Sequence, residues 1–249
     1  MSKPKLAIFD FTCCEGCQLQ IVNLEEEILN LISLVNPVEW REAMSEHIGN
    51  YDIALIEGSI TRPEDEEKLR RIRKRAKILV ALGSCASTGG VNKLKNNFDL
   101  QEVKHCVYGQ AADMPHLHTA PTKAIDEVVQ VDYKIYGCPI DRREFAYIVR
   151  CLALGKSPEI PDYPVCVECK LQENICRYEY DEICLGPVTR AGCGARCPSC
   201  ATWCFGCRGH IEEPNLSAAK EIMVRYGKTF QDLKNRMNIF GSKQRYADE

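Results

Sequence analysis

The sequence predicts an α/β fold: a parallel, doubly wound sheet over residues 1–155, a small irregular segment over 156–215 and a helical tail over 216–249. Three observations predict it. Short apolar runs alternate with helix-spaced patterns through the first 155 residues, as strands joined by crossover helices do. The stretch S-P-E-I-P-D-Y-P, ending at Pro164, then breaks the pattern as a linker. Nine cysteines follow between Cys166 and Cys207 with no clear period, so bound metal is expected to stand in for a core there.

The elements follow in order. K-L-A-I-F (5–9) reads as a strand buried on both faces. Gln18 to Val35 reads as one helix, with Leu19, Ile21, Val22, Leu24, Ile28, Leu31, Ile32 and Val35 toward the core and Glu25 to Glu27 toward water. Y-D-I-A-L-I-E-G (51–58) is the next strand. Thr61 opens a capping box with Glu64, and Pro63 sits in the first helical turn. The helix from Pro63 to Ala76 carries a basic run. Glu66–Arg70 and Glu67–Arg71 stand at i,i+4 in it, while Leu69 and Ile72 mark a core side, so it reads as a solvated face and not a phosphate site. K-I-L-V-A-L-G (77–83) and V-D-Y-K-I-Y-G (131–137) complete the strands. Asp141 to Leu154 is a helix closed by Gly155, and Leu216 to Phe240 is a helical packing or docking element.

Composition narrows the function. A net charge of −3 argues against a general nucleic-acid binder. No apolar run approaches the roughly 20 residues of a membrane-spanning helix. Met1 to Lys5 with the apolar run behind it is too short for a signal peptide and has no small-residue cleavage site, so a cytoplasmic location is expected. In a reducing compartment sixteen cysteines are not a disulfide framework, and C-x-x-C pairs bind metal.

Cys14, Cys17, Cys85 and Cys138 share one address, just past the C-terminal end of a predicted strand. In an open parallel sheet that edge is where ligands bind. Four thiolates converging there complete the Cys₄ set of a [4Fe–4S] cluster. Gly16, Gly83, Gly89, Gly90, Gly137 and Pro139 supply tight turns beside them. Glu15 and Glu57 are candidate supporting residues near this set, although Glu15 also reads simply as a helix-start charge. Cys13 reads as a spare thiol, because adjacent residues rarely point at one metal. Cys106 and Cys151 have no partner at ligand spacing and read as buried small hydrophobes. His116 and His118, in M-P-H-L-H-T-A-P, read as a solvated or interface loop. The nine later cysteines supply two four-cysteine sets with one left over. Spacing alone leaves zinc and iron–sulfur clusters both open for them.

Six motifs, C-C-E-G-C-Q, I-E-G-S-I, L-G-S-C-A-S-T-G-G, Y-G-C-P, C-L-G-P-V-T-R-A-G-C and C-F-G-C-R-G, run in this order. Together they resemble the small subunit of a [NiFe] hydrogenase, most closely the cytoplasmic NAD(P)-linked, sulfhydrogenase-delta type (group 3b). The resemblance implies a flavodoxin-like domain over 1–155 with a proximal cluster, and a ferredoxin-like two-cluster domain over 156–215. It implies three [4Fe–4S] clusters: proximal on Cys14, Cys17, Cys85 and Cys138; distal on Cys166, Cys169, Cys176 and Cys184; medial on Cys193, Cys197, Cys204 and Cys207. Periplasmic relatives usually carry histidine at the position of Cys166, and only three cysteines at the medial site. Cys200 has no counterpart, and the choice between Cys197 and Cys200 stays open.

The function so implied is electron transfer within a hydrogenase. The chain would relay electrons between a nickel–iron site in a separate large subunit and iron–sulfur, FAD- and NAD(P)-binding reductase subunits. It would be part of an enzyme while contributing no nucleophile or general base. The alternatives are the small subunit of a deazaflavin- or heterodisulfide-linked hydrogenase, a complex-I-like redox subunit or, from another class, a zinc-stabilised binding module without redox chemistry.

Overall fold

A computed structural model describes residues 3–241. The chain divides into two compact units, Met1–Pro158 and Glu159–Glu249.

The first unit is built on five strands: β1 (Lys5–Asp10), β2 (Asn36–Trp40), β3 (Ile53–Glu57), β4 (Ile78–Leu82) and β5 (Tyr133–Ile135). All pairings are parallel and the order is β2-β1-β3-β4-β5, the arrangement of flavodoxin-like sheets. All five residues of β3 are buried, because helices cover both faces of the sheet. The register aligns Asp10 with Glu57, Glu57 with Leu82 and Leu82 with Ile135, so four strands end level at one edge.

Seven or fewer residues separate that edge from each of four cysteines. The helix α1 (Gly16–Val22) follows β1, and α2 (Glu26–Leu34) follows it. The single helix expected over 18–35 is therefore two, broken at Glu25 with φ +56°. The break resets the helical phase. Ile21, Leu24, Leu31 and Val35 are buried, but Leu19, Val22 and Ile32, expected in the core, face solvent. β2 lies outside the strands that the sequence predicts, and Pro37 stands within it. It lies at the sheet edge, where proline is tolerated.

α3 (Pro63–Arg75) has Pro63 at its first position, but its N-cap is the extended Arg62, with no side-chain cap. Thr61 does not form the expected capping box, since its hydroxyl hydrogen-bonds the Thr12 hydroxyl at 2.7 Å and ties two sheet-edge loops together. Leu69 and Ile72 of α3 pack with Ala7, Ala54, Ile56 and Leu79 of the sheet. Glu66 and Arg70 pair at 2.9 Å, as expected of a solvated face.

Beyond β4 come α4 (Gly83–Thr88), a 3₁₀ turn over Val91–Asn97 and α5 (Leu100–Tyr108). The Asp99 side chain caps α5 by accepting the N–H groups of Gln101 and Glu102 at 2.9 and 3.0 Å. α6 (Arg142–Ala153) buries Phe145, Ile148, Val149 and Leu152, and Gly155 closes it at φ +68°.

The second unit contains α7 (Val165–Leu171), α8 (Arg196–Ser199), α9 (Leu216–Arg225) and α10 (Phe230–Met237), joined by long irregular loops. It has a small apolar core of its own. Val165, Tyr178 and Leu185 pack with Met223 of α9 and with Leu233 and Met237 of α10, and Cys184 and Cys204 lie among them. The tail helices thus supply part of the apolar packing that bound metal was expected to replace.

Candidate metal centres

The level strand ends set the first site. Cys14 and Cys17 lie in the turn after β1 and at the start of α1, Cys85 lies within α4 directly beyond β4, and Cys138 follows β5. Glu15 makes the turn into α1 in the left-handed conformation, at φ 60°. The four thiols act on one another. Burial pushes Cys85 up to about 12, helped next by Cys138, Cys14 and Glu57. Burial likewise raises Cys138, with Cys14 next. Cys17 is held high by burial, then Glu57, with Cys85 and Cys138 adding to it.

Glycine keeps the space beside these sulfurs open. A Cβ on Gly83 would stand 2.4 Å from Cys17 Sγ, one on Gly90 3.0 Å from Cys85 Sγ, and one on Gly16 3.3 Å from Cys14 Sγ. Such a cradle of soft donors fits a cluster that needs four thiolates and close backbone approach.

The two carboxylates singled out play different parts. Glu57, 2% exposed, accepts the backbone N–H groups of Cys17 at 3.1 Å and Gln18 at 3.3 Å. These are first-turn donors of α1 that no helical carbonyl can reach. Burial raises the Glu57 carboxyl, and the two N–H groups partly offset the rise. Glu15 caps nothing; its carboxylate pairs with Arg41 at 2.5 Å, and the same guanidinium reaches Asp10 and Glu42. Cys13 is half-buried and pushed up to about 12 by burial and then by Glu57.

In the second unit Cys166 and Cys169 project from α7 one turn apart. With Cys176 and Cys184 they line one cavity of about 160 Å³. A Cβ on Gly186 would stand 3.2 Å from Cys166 Sγ and 3.5 Å from Cys184 Sγ. Burial pushes Cys166 up to about 12, followed by the effects of Cys184, Cys169 and Cys176. The four thiols border one cavity, and a cubane, which takes one thiolate on each of four irons, fits such a set of donors.

Cys193 and Cys197 are neighbours. Burial and then Cys193 raise Cys197, the Phe205 N–H lowers it, and Cys200 acts on it too. Cys204 is raised by burial, then by Cys184, with Cys207 also adjacent. Cys197 and Cys200 therefore share one neighbourhood with Cys193.

Glu168 was not foreseen, although C-V-E-C places it between two candidate ligands. Its carboxylate accepts the N–H groups of Gly192 at 2.8 Å and Ala195 at 3.2 Å, on either side of Cys193. The expectation of burial fails for Cys106, which is exposed on α5, and Cys151 is half-buried. Nε2 of His118 pairs with Glu64 at 2.9 Å, on an exposed loop.

Residues 14–152 match the family described as NADH ubiquinone oxidoreductase, 20 Kd subunit. The chain is 37% identical over 221 residues to sulfhydrogenase 2 subunit delta of Pyrococcus furiosus, a match that covers 88% of this chain and 92% of that one. The chain belongs to that family, as a hydrogenase small subunit. The small subunit is also 29% identical to a vhu-type subunit of the F420-non-reducing hydrogenase of Methanocaldococcus jannaschii, over 94% of this chain and 92% of that protein. Its fold matches a chain of the NAD⁺-reducing [NiFe]-hydrogenase in the H₂-reduced state, with a TM-score of 0.59 and 28% identity, over 64% of this chain and 96% of the other. It is thus part of a hydrogenase, an oxidoreductase. No described helix of the small subunit is long and apolar enough to cross a membrane.

Proposed function

We propose that this small subunit relays electrons between the nickel–iron site of a large subunit and a flavin- and NAD(P)-binding reductase, in the cytoplasm, through three [4Fe–4S] clusters. The observation that carries the reading is the grouping of the thiols. Four lie just past level strand ends at one sheet edge, and four others border a single cavity. On this reading Cys14, Cys17, Cys85 and Cys138 hold one cluster and Cys166, Cys169, Cys176 and Cys184 a second. Cys193, Cys204 and Cys207, with Cys197 or Cys200, hold the third. When bound, such clusters accept and release single electrons.

The chain's own part is to position and tune. Glycines at 83, 90 and 186 leave room beside the sulfurs, and Cys184 Sγ accepts the N–H of Cys204 at 3.2 Å. Hydrogen bonds to sulfur and burial are the protein's means of setting a cluster potential. Exposed Cys14 and Cys138, and the solvent-facing Leu19 (58%) and Val22 (49%) of α1, are surface a large subunit would cover. The delta subunit of a sulfhydrogenase and the NAD⁺-reducing enzyme among the relatives support the NAD(P)-linked reading. The F420-non-reducing relative supports the second reading, a hydrogenase coupled to another acceptor.

The test is metal analysis of anaerobically purified protein. Three cubanes require about twelve iron and twelve acid-labile sulfide per chain. Zinc in place of iron would overturn the reading. Cys17→Ser is expected to abolish the sheet-edge cluster's low-temperature paramagnetic resonance and to leave the signals of the other two, and loss of the C-terminal signals alone would overturn the assignment. The chain without its large subunit is expected to take up no hydrogen.

A further inference from the structure

The first unit contains a cavity of about 370 Å³ that involves no cysteine. Its walls are the Thr61–Arg62 loop beyond β3, the 3₁₀ turn beyond α4, one side of α5 and the loop over 116–119. Five of the lining side chains are basic, Arg62, Lys95, Lys104, His116 and His118, and none is a carboxylate. That is a local concentration of positive charge in a chain whose net charge is −3.

Two of the five are already matched from outside the cavity. Arg62 pairs with Asp65 at 3.1 Å, and His118 with Glu64 at 2.9 Å. Lys95 and Lys104 have no ion-pair partner among the described residues. Lys95 is half-buried, and its ammonium reaches the Thr119 hydroxyl at 2.5 Å. Burial lowers its pKa with no opposing charge to offset the loss of water. A cation held this way is stabilised by an anion entering beside it. Val103, Val107 and Tyr108 of α5, the helix that also carries Lys104, add apolar surface to the lining that suits an uncharged organic body.

We propose that this cavity binds a small phosphorylated organic anion, its phosphate between Lys95 and Lys104 and its organic portion against Val103, Val107 and Tyr108. Its volume lies in the roughly 300–1,000 Å³ range of small-ligand sites, and loops beyond the C-terminal ends of parallel strands are where such ligands bind. Two lysines and a histidine suit a dianion better than a single carboxylate. The site stands apart from the cluster assignment and does not depend on it.

The test is equilibrium dialysis of radiolabelled adenosine monophosphate against the purified hydrogenase complex at low salt. Expected are saturable binding that includes one molecule per small subunit sensitive to Lys104→Gln, competition for that molecule by inorganic phosphate, and binding of adenosine there weaker by about tenfold or more. Lys104→Gln and Lys95→Gln are each expected to weaken binding by about tenfold with the iron content unchanged. Lys104→Gln keeps the test valid should Lys95→Gln fail to assemble. Absence of saturable binding below about 10 mM, equal binding of adenosine, or binding unaltered by Lys104→Gln would each overturn the proposal.

Discussion

Oε1 of Glu57 accepts the backbone N–H of Cys17 at 3.1 Å, so the buried end of β3 holds the first turn of α1 and a candidate ligand with it. The other oxygen takes the N–H of Gln18 at 3.3 Å. Glu57→Leu leaves both buried donors unpaired, at about 1–3 kcal/mol each. The expected outcome is an unfolding free energy lower by about 2 kcal/mol or more, read as a lower urea midpoint, and a distorted or missing sheet-edge resonance. Glu57→Gln, which keeps one acceptor, is expected to lose less. Equal stability of wild type and Glu57→Leu would show that the carboxylate supports nothing.

Gly83 adopts φ +81°, and a Cβ there would lie 2.4 Å from Cys17 Sγ. Gly83→Ala therefore combines backbone strain of about 1 kcal/mol with displacement of a candidate ligand. Purified protein is expected to carry about one third less iron than wild type, with the C-terminal signals retained. Full iron content would show that Cys17 is not a ligand.

Glu168 ties α7 to the loop around Cys193 through the Gly192 and Ala195 N–H groups. Glu168→Ala is expected to destabilise the second unit by about 1–3 kcal/mol and to alter the line shape of the C-terminal signals, while the sheet-edge signal keeps its form. A change confined to the sheet-edge signal would contradict this.

The Glu64 carboxylate raises the pKa of His118 through their hydrogen bond, with the Pro115 carbonyl adding to it. The folded pKa lies above that of an unfolded histidine, about 6.5. The pair's contribution is thus complete below the unfolded value and fades as pH rises through the folded one. Solvent screening keeps it small. An NMR titration is expected to place the His118 midpoint above about 6.5 and Glu64→Gln to bring it down; an unmoved midpoint in the variant would dissociate the two groups.

The strands of the sheet that are apolar throughout were legible because a strand buried on both faces needs continuous hydrophobic residues, as β3 and β4 have. β2 was not, since Pro37 removes the local signal and only the edge position makes it acceptable. The break at Glu25 was also invisible. The apolar spacing from Leu19 to Val35 continues across it, while the observed burial follows two short helices. Among site residues, the cysteines declared themselves by type and spacing. Glu168 did not, because its value lies in accepting N–H groups more than twenty positions away.

The sequence by itself determined the donor chemistry: sixteen thiols, their C-x-x-C pairs and the motifs shared with hydrogenase small subunits. Those are properties of side chains and their order. Tertiary structure alone decided that Asp10, Glu57, Leu82 and Ile135 end level, and so that cysteines as far apart as Cys14 and Cys138 follow strands ending at one edge. It also decided that Glu57 supports Cys17 while Glu15 turns to Arg41, and that Lys95 and Lys104 share a cavity. Each of these depends on strand register and on how helices cross the sheet, which are set by long-range packing and are written in no single stretch of chain.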